Sequence, residues 1–261
     1  MHRKNGFLTV FSGLVLSFMI IPLLIIVISS VGKEPTIAFP IKGFTLNWYH
    51  NVFLQADFVD GFKTSLIVSS SASLISLIFS VPAVYAITRS KIPHKKWFSI
   101  IFLSPTFVPE IIVGFMLYQT LVISCQIPII WALLIGYFLL GLPYAIRLLT
   151  ASMLLLDKHV EEAAWMYGCS PIGAFFKVVL PGIYPSMIAA FILSFINAFN
   201  NIPISLFMNG PDLSVLPTSI LNYLQNNYDP TVAAISTLLM VFTALVVTIM
   251  EKALGLTSVL N

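Results

Sequence analysis

Few side chains in this sequence could do chemistry, and most of them fall in three places. The stretch "EEAAWMYGCSPIGAFFKVVLPG", residues 161–182, opens on two adjacent carboxylates, Glu161 and Glu162. It is punctuated by Gly168, Ser170-Pro171 and Leu180-Pro181. Glu110 follows two prolines in "LSPTFVPEIIVG", and Asn197, Asn200 and Asn201 cluster in "SFINAFNNIP". All three places adjoin long apolar runs. In such surroundings a carboxylate attracts a cation, and an amide binds a polar solute, with little screening. Catalysis finds no such support. The sequence has no G-x-x-x-x-G-K-[ST] phosphate loop, no H-E-x-x-H and no G-x-S-x-G. Its two cysteines, Cys125 and Cys169, have no metal-ligand spacing. No catalytic residue and no metal site is expected.

The elements that hold these residues are set by the solvent. Charged residues make up 9% of the chain and hydrophobic ones 58%, against about 25% charged in an ordinary soluble domain. Lipid must cover most of this surface. A spanning helix needs about 20 apolar residues. Six runs qualify, at 7–31, 64–88, 97–121, 127–150, 185–208 and 231–250. They are continuously apolar rather than alternating, which excludes a β-barrel. The first run is too long for a signal-peptide core and lacks a small-residue cleavage site, so it is read as a retained helix. The expectation is one all-α membrane domain with six spans.

Lys and Arg orient it. Arg3 and Lys4 precede the first span; Arg89, Lys91, Lys95 and Lys96 join the second to the third; Lys158 and Lys177 lie between the fourth and fifth, and Lys252 follows the sixth. By the positive-inside rule both termini are cytoplasmic. The net charge of +3 therefore reports topology and contact with anionic lipid, not nucleic acid. Cys125 then falls outside and Cys169 inside, so they do not pair. Prolines punctuate the spans, chiefly through packing geometry, but Pro105 and Pro109 stand out because Glu110 comes next. Outside, Leu216-Pro217 predicts a short helix from Pro217 to Asn226.

The long inner connection, 151–184, is patterned. Asp157 suits the N-cap of a helix over 158–167, and Glu161 and Glu162 favour its N-terminal half. Gly168 suits a left-handed helix end. Ser170 then caps a second helix with Pro171 at its first position, and Pro181 stops that helix before the fifth span. Ile172, Phe175, Phe176 and Val179 recur at helical spacing. From the residues alone two readings stand: a hairpin that anchors the bundle at the interface, or a knob that docks into a cytoplasmic partner.

"EAAWMYGCSPIGAFFKVVLP" resembles the EAA loop of ATP-binding-cassette (ABC) importer permeases. That pattern is E-A-A, three residues, Gly, nine residues, Ile, one residue, Leu-Pro. Glu162, Ala163, Ala164, Gly168, Leu180 and Pro181 match it, with Val178 in place of Ile. "GFTLNWY", "SVPAVYAITRSKIP", "LSPTFVPEIIVG" and "NIPISLFMNGP" are similar to type I permeases of the polyamine, opine and phosphonate group, and most of all to the second permease of a spermidine/putrescine-type system. The resemblance implies a multi-pass subunit of the bacterial inner membrane, N-in and C-in. It would pair with a second permease, bind two cytoplasmic ATPase subunits through the hairpin, and receive solute from an extracytoplasmic binding protein. ATP and Mg would sit on the ATPases and none on this chain. It implies that Glu161, Glu162, Ala163, Ala164, Gly168, Ser170, Leu180 and Pro181 couple the hairpin to an ATPase. A stand-alone secondary transporter or channel is the alternative of another class.

The solute path has two candidates. Glu110 lies inside the third run, where a charge costs about 2.5–3.5 kcal/mol on insertion scales and so calls for a partner. It either faces the path and attracts a cation, or is neutral or solvated near the outer surface. Asn197, Asn200 and Asn201 are spaced to share a helix face; they either line the path or bond between helices. The amides weaken the case for a polycation and leave phosphonate, opine or another polar solute open. Arg147 is read as reaching the inner headgroups.

Overall fold

A computed structural model describes residues 6–37, 40–90, 93, 95–210 and 213–254. Among these the structure is helical, with no strand beyond two isolated bridges, Gly32 with Phe44 and Gly210 with Leu213. Five helices are long and apolar enough to cross a membrane, and a sharply bent pair supplies a sixth span when taken as one. Arg3, Lys4 and Lys91, which carry part of the expected charge asymmetry, lie outside the described residues, as does Pro211.

The chain separates into two compact units, residues 1–59 with 219–244 and residues 60–218 with 245–261. In the first, α1 (Gly6–Ser29) is apolar all round. Leu14, Phe18, Met19 and most of its other apolar side chains are exposed, as expected of a helix whose solvent is lipid or another subunit. The next segment runs to a short helix that the hydropathy did not announce, α2 (Asn47–Leu54). Trp48 Nε1–H donates to the Gly32 carbonyl at 2.7 Å, and Ser30 and Tyr49 hydroxyls lie 2.7 Å apart. Later in this unit Tyr223 Oη–H donates to Asp229 Oδ2 at 2.9 Å.

The second unit holds the core. Its elements are the body of α3 (Ala56–Arg89), α4 (Lys95–Leu103), α5 (Glu110–Leu117), α6 (Ile129–Leu155), α7 (Lys158–Met166), α8 (Pro171–Ala174) and α9 (Leu180–Phe199). The chain closes with α10 (Leu216–Asn226), at the predicted place, and α11 (Thr231–Leu254). Helix α6 is the centre, and α9 is its principal partner. Its outer half joins Val68 and Ala72 of α3 with Ala198, Ile204 and Met208. The inner half joins Val81 and Val84 of α3 with Val179, Ile183 and Ala190. Small polar groups stitch these helices: Ser76 Oγ donates to the Phe138 carbonyl at 3.1 Å, and Ser194 Oγ to that of Gly141 at 3.1 Å. In lipid, such close packing and hydrogen bonding replace hydrophobic exclusion as the source of association.

Two expected spans take another form. The third is not continuous. Helix α4 passes into a 3-10 turn at Ser104–Phe107, and α5 continues through a π-turn at Tyr118–Ser124. The two halves meet at 93°. Pro105 and Pro109 remove donors and crowd preceding carbonyls, and Val108 before Pro109 is extended at φ −95° and ψ 132°. Glu110 therefore opens a helix at a break rather than lying in the middle of a continuous helix. The second correction is at Pro181, which does not stop the hairpin's second arm. Helix α8 runs through a π-turn, Phe175–Val179, straight into α9, giving one helix over Pro171–Phe199. The wider turn relieves the clash between the proline ring and the carbonyl four residues back. The same helix ends at Phe199 rather than 208, because Asn200 leaves the helix at φ −95° and ψ 7°.

Candidate translocation cavity and coupling hairpin

The break places Glu110 among groups from two helices and a turn. Asn201 Nδ2–H donates to Glu110 Oε2 at 2.7 Å, while its Oδ1 accepts from the Ile204 amide at 2.9 Å. Its carbonyl accepts from Ser205 Oγ at 2.6 Å. Asn201 is thus buried and fully engaged: it fixes the turn after α9 and aims its amide at the carboxylate. Gly114, one turn along α5, makes this approach possible. A Cβ there would stand 2.8 Å from Ile204 Cα. Glu110 also lines a cavity of about 60 Å³ with Pro105, Thr106, Val108, Leu140, Pro143 and Tyr144. Tyr144 Oη accepts from Asn197 Nδ2–H at 3.3 Å. The cavity therefore offers one carboxylate, a phenol and a threonine hydroxyl, a set that suits an ammonium or another hydrogen-bonding solute.

The three asparagines do not act as one face. Asn201 holds Glu110, Asn197 holds Tyr144, and exposed Asn200 turns back to the Ile196 carbonyl of its own helix at 3.0 Å. The predicted shared face assumed that α9 continued through Asn201, and it does not.

The hairpin follows its local signals closely. Asp157 Oδ1 accepts from the His159 amide at 3.0 Å, and Ser170 Oγ accepts from the Gly173 amide at 3.1 Å. Gly168 turns the chain at φ +83°, with nothing within 4 Å of where a Cβ would stand. The constraint there is backbone conformation, not space. The turn leaves a blunt apolar tip. Met166 is 88% and Tyr167 93% exposed, and Ile172 and Phe176 also stand out. Glu162, paired with His159 Nδ1 at 3.0 Å, and Ala163 are exposed on the same short helix. Ala164 is half-buried, as is Leu180, whereas Pro181 is exposed.

Glu161 parts company with Glu162. It is 3% exposed. Tyr85 Oη–H donates to its Oε1 at 2.5 Å, and Arg89 Nε stands 3.5 Å from its Oε2. Neither Arg89 nor Tyr85 was singled out from sequence as a partner. Only the charge of Arg89 at the end of a span, on the same side as a surplus carboxylate, hinted at it.

A bundle of broken and continuous spans, a polar cavity and a capped apolar hairpin are the features of a membrane permease subunit. The family described as "Binding-protein-dependent transport system inner membrane component" matches residues 81–255, and the chain belongs to that family. It is a non-catalytic permease subunit of an ABC importer in the inner membrane, and its EAA loop is a family feature. Similar proteins include the spermidine/putrescine transport system permease protein PotC of Haemophilus influenzae, 25% identical over 94% of this chain and 93% of that one. PotC of Escherichia coli strain K12 is 25% identical over 94% and 90%. A Salmonella typhimurium relative named for 2-aminoethylphosphonate transport, PhnV, is 27% identical over 92% and 91%. Among solved structures, a bacterial ABC transporter involved in import of the acidic polysaccharide alginate matches with a TM-score of 0.65 at 18% identity, over 97% of this chain and 98% of that one. The MetNI methionine ABC transporter, inward facing, matches at 0.62 and 18% over 77% and 96%. These two establish the type I permease fold.

Proposed function

We propose that this subunit forms half of the path for a small solute with a cationic group, of the polyamine class. The observation that carries the reading is the Glu110 carboxylate, held by Asn201 at the wall of the cavity beside Tyr144. The relatives named for spermidine and putrescine support it. The other half would come from a second permease, and solute would arrive from an extracytoplasmic binding protein. The tip formed by Glu162, Ala163, Trp165, Met166 and Tyr167 would seat in a groove of a cytoplasmic ATPase. Two such ATPases would carry ATP and Mg and drive the hairpins together on closing. Ala163 and Ala164 would allow close approach, and Gly168 would set the turn.

A second reading, a zwitterion such as an aminophosphonate, has its own support. Arg147 is exposed one helical turn inward of Tyr144 on the same face of α6, and would hold an acidic group while Glu110 holds an amine. Uptake into vesicles holding the full complex separates the two. Competition by putrescine but not by 2-aminoethylphosphonate supports the first reading, the reverse supports the second, and uptake without ATP would sink both.

A further inference from the structure

The inner end of α3 meets the hairpin through a buried polar knot. Arg89, the last residue of α3, has a side chain only 7% exposed. Its Nη2–H donates to the Leu156 carbonyl at 2.7 Å, the residue that ends α6. Its Nε faces Glu161 Oε2 at 3.5 Å, within ion-pair range though beyond a well-directed hydrogen bond. Tyr85, one turn earlier, donates to Glu161 Oε1 and packs edge-on against Phe175 of the second arm, with ring centroids 5.0 Å apart. Three elements are therefore gripped by the last turn of one helix: the exit of α6, the body of α7 and the start of the return helix. The grip is costly to release on one side only. A buried carboxylate that loses its guanidinium keeps only the Tyr85 hydroxyl, and a guanidinium that loses its carboxylate keeps only the Leu156 carbonyl, so either charge is left uncompensated.

We propose that Arg89 and Tyr85 are positioning residues that lock α7 to α3 and α6 through Glu161, so that the hairpin transmits motion to the bundle instead of swivelling at its two ends. The hairpin's own joints explain the need. Leu156 is extended at φ −73° and ψ 118°, and Gly168 needs a left-handed turn. Both are single-residue pivots. Without the knot, α7 keeps its packing against the return helix but loses its polar ties to α3. With it, any displacement at Tyr167 is passed to α3 through a buried ion pair and a phenol. Glu161 thereby has a different part from Glu162: it faces inward and never meets the partner.

The consequence for coupling rests on the docking proposed above, but the lock does not, and the test separates them. In the full-length subunit with Cys125 and Cys169 replaced by Ser, nitroxides are placed at Tyr167→Cys and at exposed Ile78→Cys on α3, and distances are read by pulsed electron resonance. A control pair, Ile78→Cys with Trp131→Cys, reports on α3 and α6 alone. One narrow tip distance is expected, broadened at least twofold in Glu161→Gln and Arg89→Gln and less in Arg89→Lys, while the control pair stays narrow. In the assembled transporter, the same variants should keep the ATPases bound yet move severalfold less solute per ATP hydrolysed. An unchanged tip distribution, equal broadening of both pairs, or uptake and hydrolysis falling in constant ratio would each overturn the proposal. A narrow tip in a subunit that binds no ATPase would instead refute the docking reading and leave the lock standing.

Discussion

The hairpin and the broken third span are both short, proline-punctuated and polar, yet the caps and turn of the first follow their sequence and the bend of the second does not. At the hairpin's caps and turn the decisions are local. Asp157 and Ser170 satisfy amides two and three residues on, and Gly168 supplies a conformation that other residues resist. At the break the decision is shared. Pro105 and Pro109 permit a bend, but the Glu110 carboxylate beside it is held by Asn201, ninety-one positions away. Local signals fix the turns; a distant partner fixes where the carboxylate points.

The largest expected effect tests the local side of that contrast. Gly168→Asp places a β-carbon in a left-handed turn, which Asp tolerates better than most residues, and sets a charge beside the apolar tip. ATP-driven uptake should fall at least about tenfold, the equivalent of about 1.4 kcal/mol, while membrane abundance stays at the parental level. Purification in mild detergent reads the cause, since the ATPase should be lost from the mutant and present with the parent. Normal uptake by Gly168→Asp would remove the turn from the coupling machinery.

The prolines show why the remainder was not legible. Pro109 and Pro181 carry the same local message, a missing amide and a ring that crowds the carbonyl four residues back. Pro109 breaks its helix and Pro181 does not. Around Pro181, Val179 and Ile183 are fully buried against α6, and a π-turn absorbs the proline. Around Pro109 no comparable core holds the helix, since Phe107, Val108 and Ile111 are exposed. Packing decided between equal signals, and packing is not a property of six residues. Hydropathy had the same blind spot at Glu161 and Glu162. It scored two like carboxylates, and only the position of α3 sends one inward to Arg89 and the other outward.

The distant side of the comparison is tested next. Asn201→Ala removes the acceptor of the Ile204 amide and the donor to Glu110 together. Leaving a buried amide unpaired costs about 1–3 kcal/mol. A lower thermal midpoint in detergent is expected, along with weaker uptake. If the midpoint is unmoved, the turn after α9 is held by something else and the break is not anchored through Asn201. Glu110→Gln is milder for the fold, because glutamine still offers Asn201 an acceptor. It removes only the charge, so about a tenfold rise in KM for a cationic solute is expected, the worth of about 1.4 kcal/mol, with stability little changed. Equal kinetics for parent and variant would take the carboxylate off the path.

The smallest effect is the sharpest. Asn200 and Asn201 are neighbours of one residue type, and from sequence they are interchangeable members of a polar cluster. The fold assigns them opposite fates. Asn200 is exposed at the end of α9 and bonds only the Ile196 carbonyl of its own last turn, whereas Asn201 is 4% exposed and bonded on both ends of its amide. Asn200→Ala should therefore shift stability by no more than about 0.5 kcal/mol, as exposed substitutions usually do, and leave KM alone. Measured beside Asn201→Ala in one preparation, it isolates the site from the composition around it. Equal losses in the two variants would mean that Asn200 meets solute or a second subunit, and that the polar cluster acts as a whole after all.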